Sequence, residues 1–187
     1  MKDKKKSWFR RHWIVTGILG LIALSLIMSI FDGIGNEIKY ADYSDNGLVI
    51  VNSSLLIPQD SEINRIWRVN DMVSIATDAI GFIEGTERQM SKTEDFGGSS
   101  VIVKAYRFDS NINANQFYSK EKQGIDIRGV NEWDLGEDCF GIQRDTILSD
   151  YAEGFCLRSN VVLYVRSSST SYSNEGKSFM NMMTKKV

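Results

Sequence analysis

Residues 137–156, "EDCFGIQRDTILSDYAEGFC", contain the only two cysteines of this 187-residue chain. If the stretch folds into an antiparallel hairpin with Cys139 opposite Cys156, phenylalanine faces phenylalanine at the next position and glycine faces glycine after that. Opposed residues at a non-hydrogen-bonded position have Cα atoms about 4.5 Å apart, which lies within reach of a disulfide. The stretch therefore predicts a disulfide-bonded hairpin with its turn in "DTILSD".

Three other roles for the cysteines remain open at this point: two unrelated buried thiols, a redox-active pair, or a metal site. The redox role lacks a C-x-x-C motif and a flanking histidine. A zinc site would need further ligands, since two sulfurs without histidines do not complete a tetrahedron. A disulfide needs an oxidising compartment, so the choice depends on where the domain lies.

The N-terminal segment indicates that compartment. Residues 13–31, "WIVTGILGLIALSLIMSIF", carry no charge. As a helix they span roughly 28 Å, close to the thickness of about 30 Å of a bilayer's hydrocarbon core. Six basic residues precede them, so the positive-inside rule places the N-terminus in the cytoplasm and the rest outside. The alternatives are a cleaved signal peptide and a buried soluble helix, but the run is long for the former and has no A-x-A cleavage pattern.

The sequence thus divides into a basic cytoplasmic tip (1–12), a transmembrane helix (13–31), a juxtamembrane stalk (32–46) and an extracytoplasmic domain (47–187). The tip has a net charge of +5, with six basic residues and one acidic residue. Since the whole chain has −2 and the span has no charge, residues 32–187 carry −7. An acidic body argues against nucleic acid as a partner. We expect a single-pass protein of the cell membrane that contacts the bilayer through residues 13–31.

The outer domain is predicted to be α+β. Alternation in "VIVKAYRF" and "NVVLYV" is typical of strands. A helix is predicted from Asp109 or Ser110 to Gly124, and another closes the chain from near Ser173. Residues 60–82 fit either a helical stripe with Asp60 or Ser61 as N-cap or a short helix followed by irregular chain. The order β–β–α–β–β–β–β–α predicts a two-layer domain, an antiparallel sheet with about two helices covering one face.

Four stretches carry a resemblance to a known family: "GFIEG" (81–85), "VIVKAYRFDSNINANQFY" (101–118), "LGEDCFGI" (135–142) and "NVVLYV" (160–165). Their sequence of strand, capped helix and paired strands is similar to that of membrane-anchored extracytoplasmic α+β domains of PsbP-like architecture. The resemblance covers a little over half of the chain. It implies a fold and carries no catalytic motif, so it assigns no functional residue.

The chemistry available to the domain is limited, because the only histidine is His12, in the predicted tip. The domain has no Ser-His-Asp or Cys-His unit and no histidine-based zinc site. We therefore predict a non-enzymatic domain without cofactor or metal that binds a protein partner, a small ligand or an envelope component. Trp67 and Trp133 are the candidate binding-surface aromatics. The alternatives are a carboxylate-dependent extracytoplasmic hydrolase, which needs two acids facing each other in a cleft, and an accessory subunit of a membrane complex.

Overall fold

The computed structural model describes residues 47–92, 100–125, 131–146 and 149–187. All of them belong to one unit, residues 39–187. The predicted tip, transmembrane helix and stalk, residues 1–46, lie outside the described residues. In the described ranges, no helix combines the length and the apolar character needed to cross a membrane.

An antiparallel sheet, eight-stranded in the described residues, forms the centre of the domain, and the α+β prediction is confirmed. Seven strands lie in the order β1-β3-β4-β8-β7-β6-β5, and β2 pairs with β3 beside β1. The strands are β1 (Trp67–Val69), β2 (Val73–Ile75), β3 (Phe82–Lys92), β4 (Ser100–Phe108), β5 (Asn131–Glu132), β6 (Cys139–Thr146), β7 (Ser149–Arg158) and β8 (Val161–Ser167). The helices are α1 (Ser53–Leu56), α2 (Asn111–Gly124) and α3 (Ser173–Thr184), with short 3-10 turns at Asp60–Glu62 and Thr170–Tyr172.

The predicted hairpin is confirmed, including its register. Cys139 pairs with Cys156 across β6 and β7, and the two sulfur atoms are bonded. Gly141 faces Gly154, and a Cβ at Gly141 would lie 2.8 Å from the carbonyl oxygen of Trp133. Because both positions lack a side chain, the segment Trp133–Leu135, which precedes β6, can pack directly against the backbone of the hairpin.

The two longer helices lie on opposite faces of the sheet. Strand β8 is buried at five consecutive positions, so both of its faces need cover. Val161, Leu163 and Val165 pack in the cluster that holds the methionines of α3. Val162 and Tyr164 point the other way and pack with α2. The prediction of a two-layer domain with both helices on one face is therefore wrong in this respect.

The chain joins the sheet through a buried asparagine. The Asn160 side chain accepts a hydrogen bond from the backbone N–H of Val49 at 2.6 Å and donates to the carbonyl oxygens of Val49 at 3.1 Å and Phe108 at 2.6 Å. Asn160 lies in the tight turn between β7 and β8, next to Ser159, whose φ is +52°. We call this end of the sheet, where β3 and β8 begin and β4 and β7 end, the basal end.

Candidate functional site

A cleft opens on the face of the sheet that α2 covers only in part. The apolar side of α2, at Ala114 and Phe117, lies over Phe108 and Val162 near the basal end. Beyond this contact, the C-terminal turns of the helix and the strands β4, β8 and β7 enclose a cleft of about 600 Å³. We call it the tyrosine cleft. Its lining residues are Lys104, Tyr106, Lys120, Glu121, Gly124, Ile125, Tyr151, Glu153, Phe155 and Tyr164.

Aromatic rings from three neighbouring strands form the floor of the cleft. Phe155 on β7 faces Tyr164 on β8, and their ring centroids are 4.7 Å apart. On β4, the ring of Tyr106 contacts that of Phe117, with centroids 5.0 Å apart. The pair of Phe155 and Tyr164 is a cross-strand aromatic pair, of a kind that stabilises a sheet. Tyr151 adds a half-buried ring near the far end of β7. The floor is therefore apolar, but three of its rings carry a hydroxyl group.

Charged groups surround these rings in alternating sign. Lys104 forms an ion pair with Glu87 at 2.7 Å, and its ammonium lies 5.6 Å from the ring centroid of Tyr164. The hydroxyl of Tyr164 donates to a carboxylate oxygen of Glu153 at 3.2 Å. The guanidinium of Arg166 lies 4.9 Å from the centroid of Tyr151. The rings of Tyr164 and Tyr151 thus each have a cation within the range of a cation–π interaction.

The ionisable side chains of the lining balance each other. Two are basic, Lys104 and Lys120, and two are acidic, Glu121 and Glu153. The cleft therefore has no strong preference for a ligand of either sign, although it offers both hydrogen-bond donors and acceptors.

The tyrosine hydroxyls keep their protons. Burial raises the pKa of Tyr106 well above its ordinary value, and the carboxylates of Glu121 and Glu87 raise it further. Burial also raises the pKa of Tyr164, with a smaller contribution from Glu153. Both phenols are therefore neutral at physiological pH and present O–H groups in the cleft.

The two tryptophans predicted as binding-surface aromatics lie elsewhere. Trp67 is only 8% exposed and packs edge-on against Phe179 of α3, with centroids 5.4 Å apart. Trp133 is 5% exposed and lies against α3 at Gly176. Both belong to the core on the α3 face. Neither ring is therefore exposed as a binding surface, contrary to the expectation from the sequence. The residues of the tyrosine cleft do not stand out in the sequence, because they are spread over β4, α2, β7 and β8.

The disulfide and the cleft lie on opposite faces of the same hairpin. Cys139 and Cys156 point to the α3 face, whereas Phe155 and Glu153 point to the cleft. The bridge therefore stabilises the strand β7 that supplies three residues of the cleft. Across residues 47–187, apart from the three undescribed gaps, no three His, Cys, Asp or Glu side chains come together as a metal site.

Comparison with protein-family models and with curated proteins finds no match to this chain. Among solved structures, the domain is similar to the crystal structure of the extracellular domain of PknH from Mycobacterium tuberculosis, with a TM-score of 0.51 and 10% sequence identity. The likeness covers 71% of this chain and 95% of the PknH domain. At this identity it shows a shared α+β fold, while the likeness to PsbP-like domains stays a prediction.

Proposed function

We propose that the chain is a single-pass membrane protein whose extracytoplasmic domain binds a small ligand in the tyrosine cleft without catalysing a reaction. The uncharged run 13–31 and its basic flank support the anchor. The disulfide supports an oxidising compartment for the domain. The fold shared with a domain that is extracellular in PknH agrees with this placement.

The single observation that carries the binding role is the tyrosine cleft. Ligand sites are concave, largely apolar and supplied with a few polar groups, and they usually enclose about 300–1,000 Å³. The cleft has a volume in this range and is concave, and its lining combines aromatic rings with a larger share of polar surface. It is built on strands and on a capped helix, so its walls are held in place before a ligand arrives.

The chemistry of the cleft favours an uncharged ring that bears hydroxyl groups, such as a saccharide. The faces of aromatic rings are electronegative and attract the positively polarised C–H groups on a sugar face. Lys104, Glu153 and the tyrosine hydroxyls can then donate to and accept from the sugar hydroxyls. Because two lysines balance two glutamates in the lining, a strongly charged ligand gains little.

The binding test uses the full chain in lipid nanodiscs. Nanodiscs contain no glycoside detergent, whose sugar headgroup would compete with the tested saccharides. Saturation-transfer NMR against a panel of neutral mono- and disaccharides should show contact, and Tyr151→Ala should weaken binding by about tenfold, equivalent to about 1.4 kcal/mol. Tyr172→Ala is the matched control, because Tyr172 is also half-buried but lies on the α3 face. Absence of any saccharide contact, or an equal loss in the control, refutes the proposal.

The anchor has its own test. Protease added to spheroplasts should remove an epitope fused at Val187 and spare one fused at Met1. The predicted orientation places only the C-terminal epitope outside the membrane. Protection of the epitope at Val187 contradicts this topology.

A hydrolase is the second candidate, because two carboxylates, Glu121 and Glu153, line the same cleft. Glycoside hydrolysis needs such a pair across the bond to be cleaved. Glu153 already accepts a hydrogen bond from Tyr164, which favours a binding role over an acid–base role. Turnover of chromogenic glycosides that disappears in Glu153→Gln, while binding is retained, would establish the hydrolase instead.

A further inference from the structure

We infer that the basal end of the domain docks on the bilayer surface through four exposed isoleucines, which we call the isoleucine patch: Ile50, Ile80, Ile83 and Ile112. The inference rests on the proposed anchor but not on ligand binding in the tyrosine cleft, which adjoins the patch at Lys120.

These side chains are unusually accessible for their type. Ile80 is 76% exposed and Ile112 71%, while Ile50 and Ile83 are each about half exposed. They come from different elements: the chain entering the sheet, the turn before β3, β3 itself and the first turn of α2. A single exposed aliphatic side chain is ordinary, but several at one end of a domain indicate an interaction surface.

Contacts at the basal end bring the patch together. The backbone N–H of Asp109 donates to the carbonyl oxygen of Gly81 at 2.8 Å, which holds the turn carrying Ile80 against the start of α2. Gln116 lines two adjoining hollows, one with Ile80 and the other with Ile112. The two most exposed isoleucines therefore flank the same side chain.

The chain enters the domain beside this patch. The hydroxyl of Ser159 donates to the carbonyl oxygen of Gly47 at 2.8 Å and lies 3.3 Å from the side-chain oxygen of Asn111. Ile112 is the next residue of α2. At the same end, the side chain of Asn160 forms hydrogen bonds with both the N–H and the carbonyl oxygen of Val49, and Ile50 is the next residue. The first described residues and the isoleucine patch thus share the basal end.

The number of residues between the predicted span and Gly47 limits how far the basal end can lie from the bilayer. Fifteen residues, 32–46, separate the predicted span from Gly47. Even fully extended, a chain of this length reaches about 50 Å at most. In the proposed arrangement, this covalent limit keeps Gly47, and the basal end that contains it, within about 50 Å of the end of the predicted span.

The composition of the patch favours insertion by apolar burial. It is aliphatic, and the ionisable residues beside it have both signs: Asp78, Asp109 and Lys120. A basic cluster would indicate attraction to anionic lipid, which falls with added salt. This patch predicts shallow contact at the headgroup boundary that depends little on salt or on lipid charge.

The test uses the full chain in phosphatidylcholine vesicles. Both native cysteines are in the disulfide, so one introduced cysteine can be labelled selectively. An NBD fluorophore at Ile80→Cys or Ile112→Cys should lose most of its fluorescence when the lipids carry a nitroxide. The same label at Asp145→Cys, near the opposite end of the sheet, should keep most of its fluorescence. High salt and added anionic lipid should leave this difference unchanged.

A second set of variants tests the patch itself. With the label at Ile112→Cys, the changes Ile80→Asn and Ile83→Asn together should reduce the quenching towards that of the control label. Ile66→Asn is the matched control, because Ile66 is 48% exposed like Ile83 but adjoins β1, at the far end of β3. Its quenching should not change.

Each remaining outcome overturns the inference. Equal quenching at the basal and opposite ends shows no docking. A blue-shifted but unquenched label at the basal end shows a protein partner or a second copy there. A chain that does not float with the vesicles overturns the anchor together with the docking, whereas the saccharide test reports separately on the cleft.

Discussion

Replacing Asn160 with aspartate should destabilise the domain in a pH-dependent way. The carboxyl has nearly the same size as the amide and can still accept from the N–H of Val49. In its ionised form it cannot donate to the carbonyl oxygens of Val49 and Phe108, which then face a negative charge in a site that is 1% exposed.

The magnitude follows from the lost contacts. Two donated hydrogen bonds are worth about 1 kcal/mol each, and leaving buried acceptors without a donor adds to this. We expect a loss of about 3–4 kcal/mol in the free energy of unfolding at neutral pH. Burial and the two carbonyl oxygens disfavour the charged form, so the introduced carboxyl should have a folded pKa above its unfolded value of about 3.9. The variant is then most stable, relative to the native chain, below the unfolded pKa, and this advantage is lost as the pH rises through the folded pKa.

Urea unfolding of the full chain, followed by near-ultraviolet circular dichroism at pH 7 and pH 4, measures this effect. The difference between the native chain and Asn160→Asp should shrink by about 1–2 kcal/mol at the lower pH, because the protonated carboxyl can donate one bond. Asn115→Asp is the control: Asn115 is exposed and only accepts, from Ser119, so the change keeps its hydrogen bond. A penalty for Asn160→Asp that is equal at both pH values refutes the reasoning.

Three further predictions concern other features. Cys139→Ser and Cys156→Ser should each lower the free energy of unfolding by about 3 kcal/mol in urea titrations, because the disulfide closes a loop between residues 17 positions apart. The double variant should cost little more than either single one, and a double variant with twice the cost contradicts a shared bond. A serine hydroxyl and a backbone N–H before α3 hold the pKa of Asp150 below its usual range, so its contribution is present above the unfolded pKa and lost as the pH falls through the folded pKa. Asp150→Asn should therefore reduce the loss of unfolding free energy that accompanies acidification, by a measurable amount of less than about 1 kcal/mol. An acid-induced loss equal to that of the native chain contradicts this prediction. In an absorbance titration, Tyr106→Phe and Tyr164→Phe should each remove a phenol that ionises well above the ordinary range, whereas coincident titration of all tyrosines opposes the assigned burial.

Local sequence predicts some elements of this fold well. The hairpin could be aligned because two phenylalanines, two glycines and two cysteines match in only one register. Helix α2 could be bounded because Ser110 caps it, accepting from the N–H of Asn113, and the helix ends at Gly124. Residues 60–82 could not be assigned, since three-residue strands are too short to show a period and are held by pairing with β3.

The candidate site was harder to predict because it combines residues from separate strands. Tyr164 stands inside the apolar run of β8, and only the sheet order shows that Tyr106 and Phe155 flank it on the same face. The continuous apolar run is itself a signal of burial on both faces, which indicates a helix on each side. Tryptophans were the natural choice for a binding surface, but Trp67 and Trp133 contribute their large rings to the core.

The outermost strands of the described sheet are very short, and this affects how the domain behaves when many copies are crowded together. β3 has eleven residues, but its outer side is covered by β1 and β2, which have three residues each. On the other side, the two-residue strand β5 pairs with only Ile142 and Gln143 of the eight-residue strand β6. A long free edge would offer unpaired N–H and carbonyl groups to another chain and so promote aggregation. The three-residue strands β1 and β2 give a neighbouring molecule little to pair with, so at a high local concentration we expect any edge-to-edge pairing to occur at β6 rather than beside β3.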